Sequence, residues 1–189
     1  HDAGRFLEKA ESQNFSRSLC TYATCGLGFE YWRNELGGEM PPDAPWGGIA
    51  RPDFILGTGQ MLCDPRYKWP QAVQHYMKDV PAYIGGFYWP PYDENMDHRE
   101  VESYYLKYAV EELQGAITFI EKQTKKKMDW AKLEEITDLV DRTWDIFIDA
   151  YELRKTRPTP MDTGDAMNTM VPLAFMLGTQ EAYDFYKEL

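Results

Sequence analysis

Apolar and polar positions follow different periods in different parts of this chain. Residues 53–58, Asp53-Phe54-Ile55-Leu56-Gly57-Thr58, form a short apolar run bounded by Pro52 and Gly59, which predicts a buried strand. Residues 80–85, Val80-Pro81-Ala82-Tyr83-Ile84-Gly85, predict a second strand after Asp79. Between them residues 66–77 suit a helix, with Pro65 and Pro70 early in it. Strand, helix and strand with short connections make a βαβ unit, which implies parallel strands and a right-handed crossover. Open α/β sheets present their ligand sites at the carboxyl ends of the strands. Here those ends carry residues 57–64 and 85–93, so chemistry is expected there.

The period then changes. Leu106, Val110, Leu113, Ile117 and Ile120 recur at alternating spacings of four and three, one stripe of a long helix. Asp97 with Glu100 resembles a capping box at its start, and Lys125 to Lys127 suit its carbonyl end. Leu133, Ile136, Val140, Trp144, Phe147 and Tyr151 form a second stripe, with Asp129 as the expected N-cap. The two stripes are expected to pack together as an antiparallel helix pair joined by the basic turn. The loop Arg157-Pro158-Thr159-Pro160 precedes a final helical stretch.

Composition narrows the function. In 189 residues, 31 acidic against 20 basic side chains leave a net charge of −11, which disfavours a nucleic-acid binder. A hydrophobic content of 43% supports a packed core and excludes a disordered chain. No apolar run reaches the roughly 20 residues that span a bilayer, so no membrane association is expected. Three cysteines are too few for a disulfide scaffold and read as reduced thiols of a cytoplasmic protein.

Those thiols are the main candidates for chemistry. Cys63 follows a predicted strand and opens a predicted helix, where backbone N–H groups favour the metal-binding thiolate. Cys20 and Cys25 are five residues apart, so on one helix their side chains diverge by roughly 140°. Cys20 and Cys63 are therefore taken as a pair, with Cys25 apart. A structural zinc site is poorly supported, because no C-x₂-C pair exists and His1, His75 and His98 are scattered. There is no phosphate-binding glycine loop and no nucleophile elbow. The Gly-hinged aromatic segment with Phe87, Tyr88 and Trp89 is a candidate wall of an apolar substrate pocket.

Several segments in order resemble the 2-hydroxyacyl-CoA dehydratase and ATP-dependent benzoyl-CoA reductase subunits. They are Glu8-Lys9-Ala10-Glu11 leading to Leu19-Cys20-Thr21-Tyr22, and Pro52-Asp53-Phe54-Ile55 leading to Cys63 and Lys68-Trp69. They continue with Val80-Pro81, with Arg157-Pro158-Thr159-Pro160-Met161-Asp162, and with Gly178-Thr179 before Glu181-Ala182-Tyr183-Asp184-Phe185-Tyr186. The Cys-Thr-Tyr and Arg-Pro-Thr-Pro wording looks closest to the substrate-reducing subunit of benzoyl-CoA reductase.

The resemblance implies an α/β fold: a partial flavodoxin-like parallel sheet followed by a helical region with two long antiparallel helices. It divides the chain into a cysteine-bearing α/β domain, residues 1–95, incomplete at its start, and a helical region, residues 96–189. A C-terminal α/β domain is expected to be missing, so the chain reads as a fragment that would be inactive alone. The resemblance further implies a [4Fe-4S] cluster with Cys20 and Cys63 as two ligands and a third outside this chain; Cys25 has no counterpart. It implies an acyl-CoA substrate, a homologous second subunit, and an ATP-hydrolysing iron–sulfur activator that supplies single low-potential electrons. Benzoyl-CoA-type ring reduction is the first expectation. The alternatives are an (R)-2-hydroxyacyl-CoA dehydratase subunit or a non-catalytic partner of the same fold.

Overall fold

The computed structural model describes residues 3–42, 44–59, 63–86, 95 and 97–189. The chain divides into two units, His1–Lys126 and Lys127–Leu189.

In the first unit, α1 (Gly4–Ser12) packs on α2 (Thr21–Glu35). Phe6 of α1 anchors the contact, with ring centroids 5.8 Å from both Phe29 and Trp32. Then β1 (Ile55–Gly59), α3 (Asp64–Tyr76) and β2 (Ala82–Gly86) follow in order. The strands pair in parallel, with Ile55 beside Ala82 and Gly59 beside Gly86. This is the expected βαβ unit, each strand beginning two residues later than its apolar run. Pro52 and Pro81 explain the delay, since proline has no N–H for the ladder. Pro81 still takes part through its carbonyl, which accepts from Ile55 N at 2.8 Å.

The two faces of the strands are covered by different helices. On one face Pro70 of α3 lies so close to Gly57 that a β-carbon there would stand 2.7 Å from its ring. Ile55, Met77 and Val80 form the core beneath α3, joined by Val73 and Ala82. On the other face lies α4 (His98–Thr124). Phe119 of α4 sits 5.7 Å from Phe54 and 5.8 Å from Tyr83, centroid to centroid. The Tyr83 hydroxyl donates to the Glu112 carbonyl at 2.9 Å, over Gly115.

This contact uses a face of α4 other than the 106–120 stripe. The helix turns Phe119, Glu112 and Gly115 to the sheet, where aromatic rings and a tyrosine hydroxyl find partners. The stripe falls on the far side, and Leu106, Val110 and Leu113 remain 67%, 44% and 51% exposed. The capping expectation holds: Asp97 accepts from Arg99 N at 3.0 Å, and the helix closes on Lys125 in the left-handed conformation, φ 59°.

The second unit comprises α5 (Trp130–Glu152), α6 (Thr163–Thr169), α7 (Val171–Phe175) and α8 (Gln180–Glu188). Asp129, Asp162 and Thr179 cap α5, α6 and α8 with their side-chain oxygens. Part of the stripe of α5 is taken up within this unit. Ile136 and Val140 face Gly178, and Phe147 meets the ring of Tyr186 at 5.3 Å. Leu133 and Trp144 of the same stripe are left exposed.

Among the described residues, no helix is long and apolar enough to cross a membrane.

Candidate functional site

Cys20 is the N-cap of α2 and Cys63 the N-cap of α3. Both use their carbonyls to start the helix: Cys20 O accepts from Thr24 N at 3.0 Å, and Cys63 O from Arg66 N at 3.1 Å. Neither helix has a side-chain cap at its N-cap residue. Each cysteine therefore stands at the amino end of its helix. Cys20 is exposed and Cys63 half-buried.

The relation between the two helices decides whether these thiols can act together. Gly26 of α2 meets Trp69 of α3, Tyr31 meets Tyr76 at 6.1 Å, and Arg33 reaches the Met77 sulfur at 3.8 Å. The paired numbers rise together, so α2 and α3 run in the same direction. The sequence separation of each pair nearly equals that between Cys20 and Cys63. Gly26 lies six residues past one cysteine and Trp69 six past the other, so both N-caps are about 9 Å of helix from the crossing. Cys20 and Cys63 thus occupy the same end of a parallel helix pair, beyond the carboxyl edge of β1.

Cys25 differs. It lies inside α2, which is continuous from Thr21 to Glu35, so no break turns it toward Cys20. Burial pushes its thiol up, which keeps it protonated and makes it a poor metal ligand.

The opposite end of the helix pair is clamped. Glu30 and Arg33 form a buried ion pair at 2.7 Å, with side chains 8% and 5% exposed. Arg33 also donates to the Ile49 carbonyl at 2.6 Å, tying the long loop after α2 to the helix. Burial raises the Glu30 carboxyl above its usual range, against the lowering influence of Arg33 and Arg51. A cavity of about 240 Å³ opens beside this pair, bordered by Arg51 and Tyr76. Sequence reasoning missed the clamp. Its signal was an acid and a base three apart on a helix otherwise rich in apolar and aromatic residues.

Phe87, Tyr88 and Trp89, the candidate pocket wall, lie outside the described residues, as do residues 60–62 before Cys63. Among the described residues no group of three or more His, Cys, Asp or Glu side chains could hold a metal ion. Two helix-end thiols on one side fit part of the donor set of an iron–sulfur cluster and need a further ligand from elsewhere.

The arrangement is that of an α/β domain with a cysteine-bearing edge. All 189 residues match 2-hydroxyglutaryl-CoA dehydratase, D-component, and the chain belongs to that family. It is 29% identical over 182 residues to the (R)-phenyllactyl-CoA dehydratase alpha subunit of Clostridium sporogenes, covering 96% of this chain and 40% of that protein. It is 26% identical over 183 residues to the (R)-2-hydroxyisocaproyl-CoA dehydratase alpha subunit of Clostridioides difficile, covering 96% and 41%. The lactoyl-CoA dehydratase subunit alpha of Anaerotignum propionicum is 22% identical over 169 residues, covering 87% and 38%. The chain thus spans about two-fifths of the length of these relatives. All three are dehydratase alpha subunits, which corrects the expectation that benzoyl-CoA reductase would stand nearest. The wording on which that rested, Cys-Thr-Tyr and Arg-Pro-Thr-Pro, is short and does not separate the two chemistries.

Proposed function

We propose that this chain is part of the alpha-type subunit of a 2-hydroxyacyl-CoA dehydratase, an enzyme that removes the 2-hydroxyl group of an acyl-CoA thioester as water. In this reading Cys20 and Cys63 are two ligands of a [4Fe-4S] cluster, and the third comes from outside the chain. When bound, the cluster would supply low-potential single electrons to the thioester. The chain's own part is to hold two cysteines at the N-termini of α2 and α3. Phe87, Tyr88 and Trp89 are the candidates for keeping water from the substrate. A homologous second subunit and an ATP-hydrolysing iron–sulfur activator complete the system.

The observation that supports this reading is the parallel, in-register packing of α2 and α3, with Cys20 and Cys63 as their N-caps. The relatives differ in their acyl groups, so the class proposed is 2-hydroxyacyl-CoA and not one member of it. The test uses the full-length subunit purified anaerobically with its partner. Iron and sulfide are quantified, and turnover of 2-hydroxyacyl-CoA thioesters is assayed with the activator and ATP. Cys20→Ser and Cys63→Ser should each lose iron and turnover, while Cys25→Ala keeps both. Iron retained in Cys63→Ser, or lost in Cys25→Ala, would overturn the ligand assignment.

A further inference from the structure

Glycine weakens a helix interior, since it loses the most backbone freedom and packs no side chain. Helix α2 nevertheless carries Gly26 and Gly28. A β-carbon at position 28 would stand 1.8 Å from the Phe6 carbonyl oxygen of α1, and one at position 26 would stand 2.0 Å from the Trp69 ring of α3. Two residues turn a helix by about 200°, so α2 is gripped on nearly opposite sides. Helix α3 is gripped as well. Its Trp69 meets α2, and the next residue, Pro70, meets Gly57 of β1, where a β-carbon would stand 2.7 Å from the proline ring.

These contacts link α1, α2, α3 and β1 in one series, with no room for a further carbon at Gly26, Gly28 or Gly57. Close packing of this kind transmits a displacement instead of absorbing it. The Tyr31–Tyr76 and Arg33–Met77 contacts lie toward the far ends of α2 and α3, whereas Gly26–Trp69 lies toward the cysteines. The Gly26–Trp69 crossing is therefore a fulcrum for both helices. Its spacer is the indole of Trp69, and the short arms from it end at the Cys20 and Cys63 N-caps. A change in the thickness of that spacer moves the two N-caps relative to one another.

From this we infer that Trp69, seated on Gly26, is a positioning residue for the iron–sulfur cluster, setting the separation of the two cysteines that hold it. The inference rests on the reading of Cys20 and Cys63 as ligands of one cluster. Ligand sulfurs must meet a cluster at a fixed spacing, and the surroundings of those sulfurs tune its reduction potential. Trp69 acts on that spacing through α2 and α3 and is itself no ligand. Sites of this precision are held by packed supporting residues on rigid elements.

The experiment measures the spacing with and without the cluster, in the full-length subunit with its partner. In metal-free protein, dibromobimane bridges thiols that stand close together, and mass spectrometry locates the bridge. The wild type should bridge Cys20 to Cys63. Trp69→Leu and Gly26→Ala should each lower that yield severalfold, and the double variant should recover part of it. Trp69→Phe should fall between wild type and Trp69→Leu, and it is the variant to read where the larger change prevents folding. In the anaerobically reconstituted protein, Trp69→Leu should shift the paramagnetic resonance spectrum and the midpoint potential of the reduced cluster. Val80→Ala is the control, since it opens the buried core beneath α3 away from the crossing. It should lower the denaturant midpoint and leave the bridge, the spectrum and the potential as in the wild type. A wild type that forms no bridge overturns the pairing of the cysteines and the inference with it. A bridge in the wild type that Trp69→Leu, Trp69→Phe and Gly26→Ala all leave unchanged overturns the inference alone. Changes in Val80→Ala as large as those in Trp69→Leu also overturn it, because the role of Trp69 is then general stability.

Discussion

Gly26 of α2 lies beneath the indole of Trp69 of α3, so close that a β-carbon at position 26 would stand 2.0 Å from the ring. No real β-carbon occupies such a distance, so a side chain here must drive the helices apart. The contact is also the point from which both cysteine N-caps are measured. Gly26→Ala should therefore destabilise the first unit by about 1–3 kcal/mol through overpacking. Trp69→Leu should recover part of that loss in the double variant, because it removes the atoms that clash. Denaturant midpoints of the four combinations check this, and strict additivity would show that the two residues do not share the contact.

The cysteines differ in reactivity for reasons visible in their surroundings. Cys20 is exposed, whereas burial pushes the Cys25 thiol up. The thiolate is the nucleophile, so a raised pKa means less of the reactive form near neutral pH. In metal-free protein, iodoacetamide should modify Cys25 more slowly than Cys20 at about pH 7. Its rate should go on rising above the pH at which an ordinary thiol levels off. Site-resolved mass spectrometry across a pH series measures both, and equal rates at the two sites would refute the expectation.

The Glu30–Arg33 pair carries a pH dependence whose sign follows from burial. The Glu30 carboxyl is raised by desolvation even with Arg33 beside it. A carboxyl raised in the folded state contributes stability that is present at acid pH and is lost as the pH rises through its folded value. Arg33→Met removes the nearest lowering influence, so the carboxyl climbs further and an unpaired buried charge remains near neutrality. The variant should lose about 3–5 kcal/mol at neutral pH. It should lose less at acid pH, where Glu30 takes up its proton. Denaturation at the two pH values decides, and the same loss at both would place the cost in packing alone.

Local signals were legible where one sequence feature has one structural outcome. The apolar runs before Gly59 and Gly85 became parallel strands, and Asp97 and Asp129 became side-chain caps. The position of Cys63 at a helix start followed from the strand before it. The packing partners of the long helices were not legible. The stripe of α4 marks one apolar face, but Phe119, Gly115 and Tyr83 form a better-fitting contact on the opposite one. Periodicity counts apolar residues and does not weigh the shape of what they meet. The parallel register of α2 and α3 was hidden for the same reason. It depends on Gly26 and Trp69, far apart in sequence, fitting together in space.

The second unit offers a test of how tightly its helices are coupled. Tyr186 of α8 is 1% exposed. Its hydroxyl accepts from Leu173 N at 3.2 Å and donates to the Thr169 carbonyl. Burial raises its pKa, so the phenol keeps the proton it donates. Tyr151 of α5 reaches the same turn, with its hydroxyl 2.7 Å from the Ala166 carbonyl and 3.0 Å from Thr169 Oγ1. The two phenols therefore hold the end of α6 from two helices. Tyr186→Phe should cost about 1–3 kcal/mol, because it leaves a buried carbonyl and a backbone N–H without their partner. Tyr151→Phe should cost less, since it leaves Tyr186 in place on Thr169. Groups that share a partner are not additive, and the coupling between the two variants should be about 0.5–1 kcal/mol. A double-mutant cycle from denaturant unfolding measures that coupling, and a value indistinguishable from zero would mean that Thr169 does not link α5 to α8.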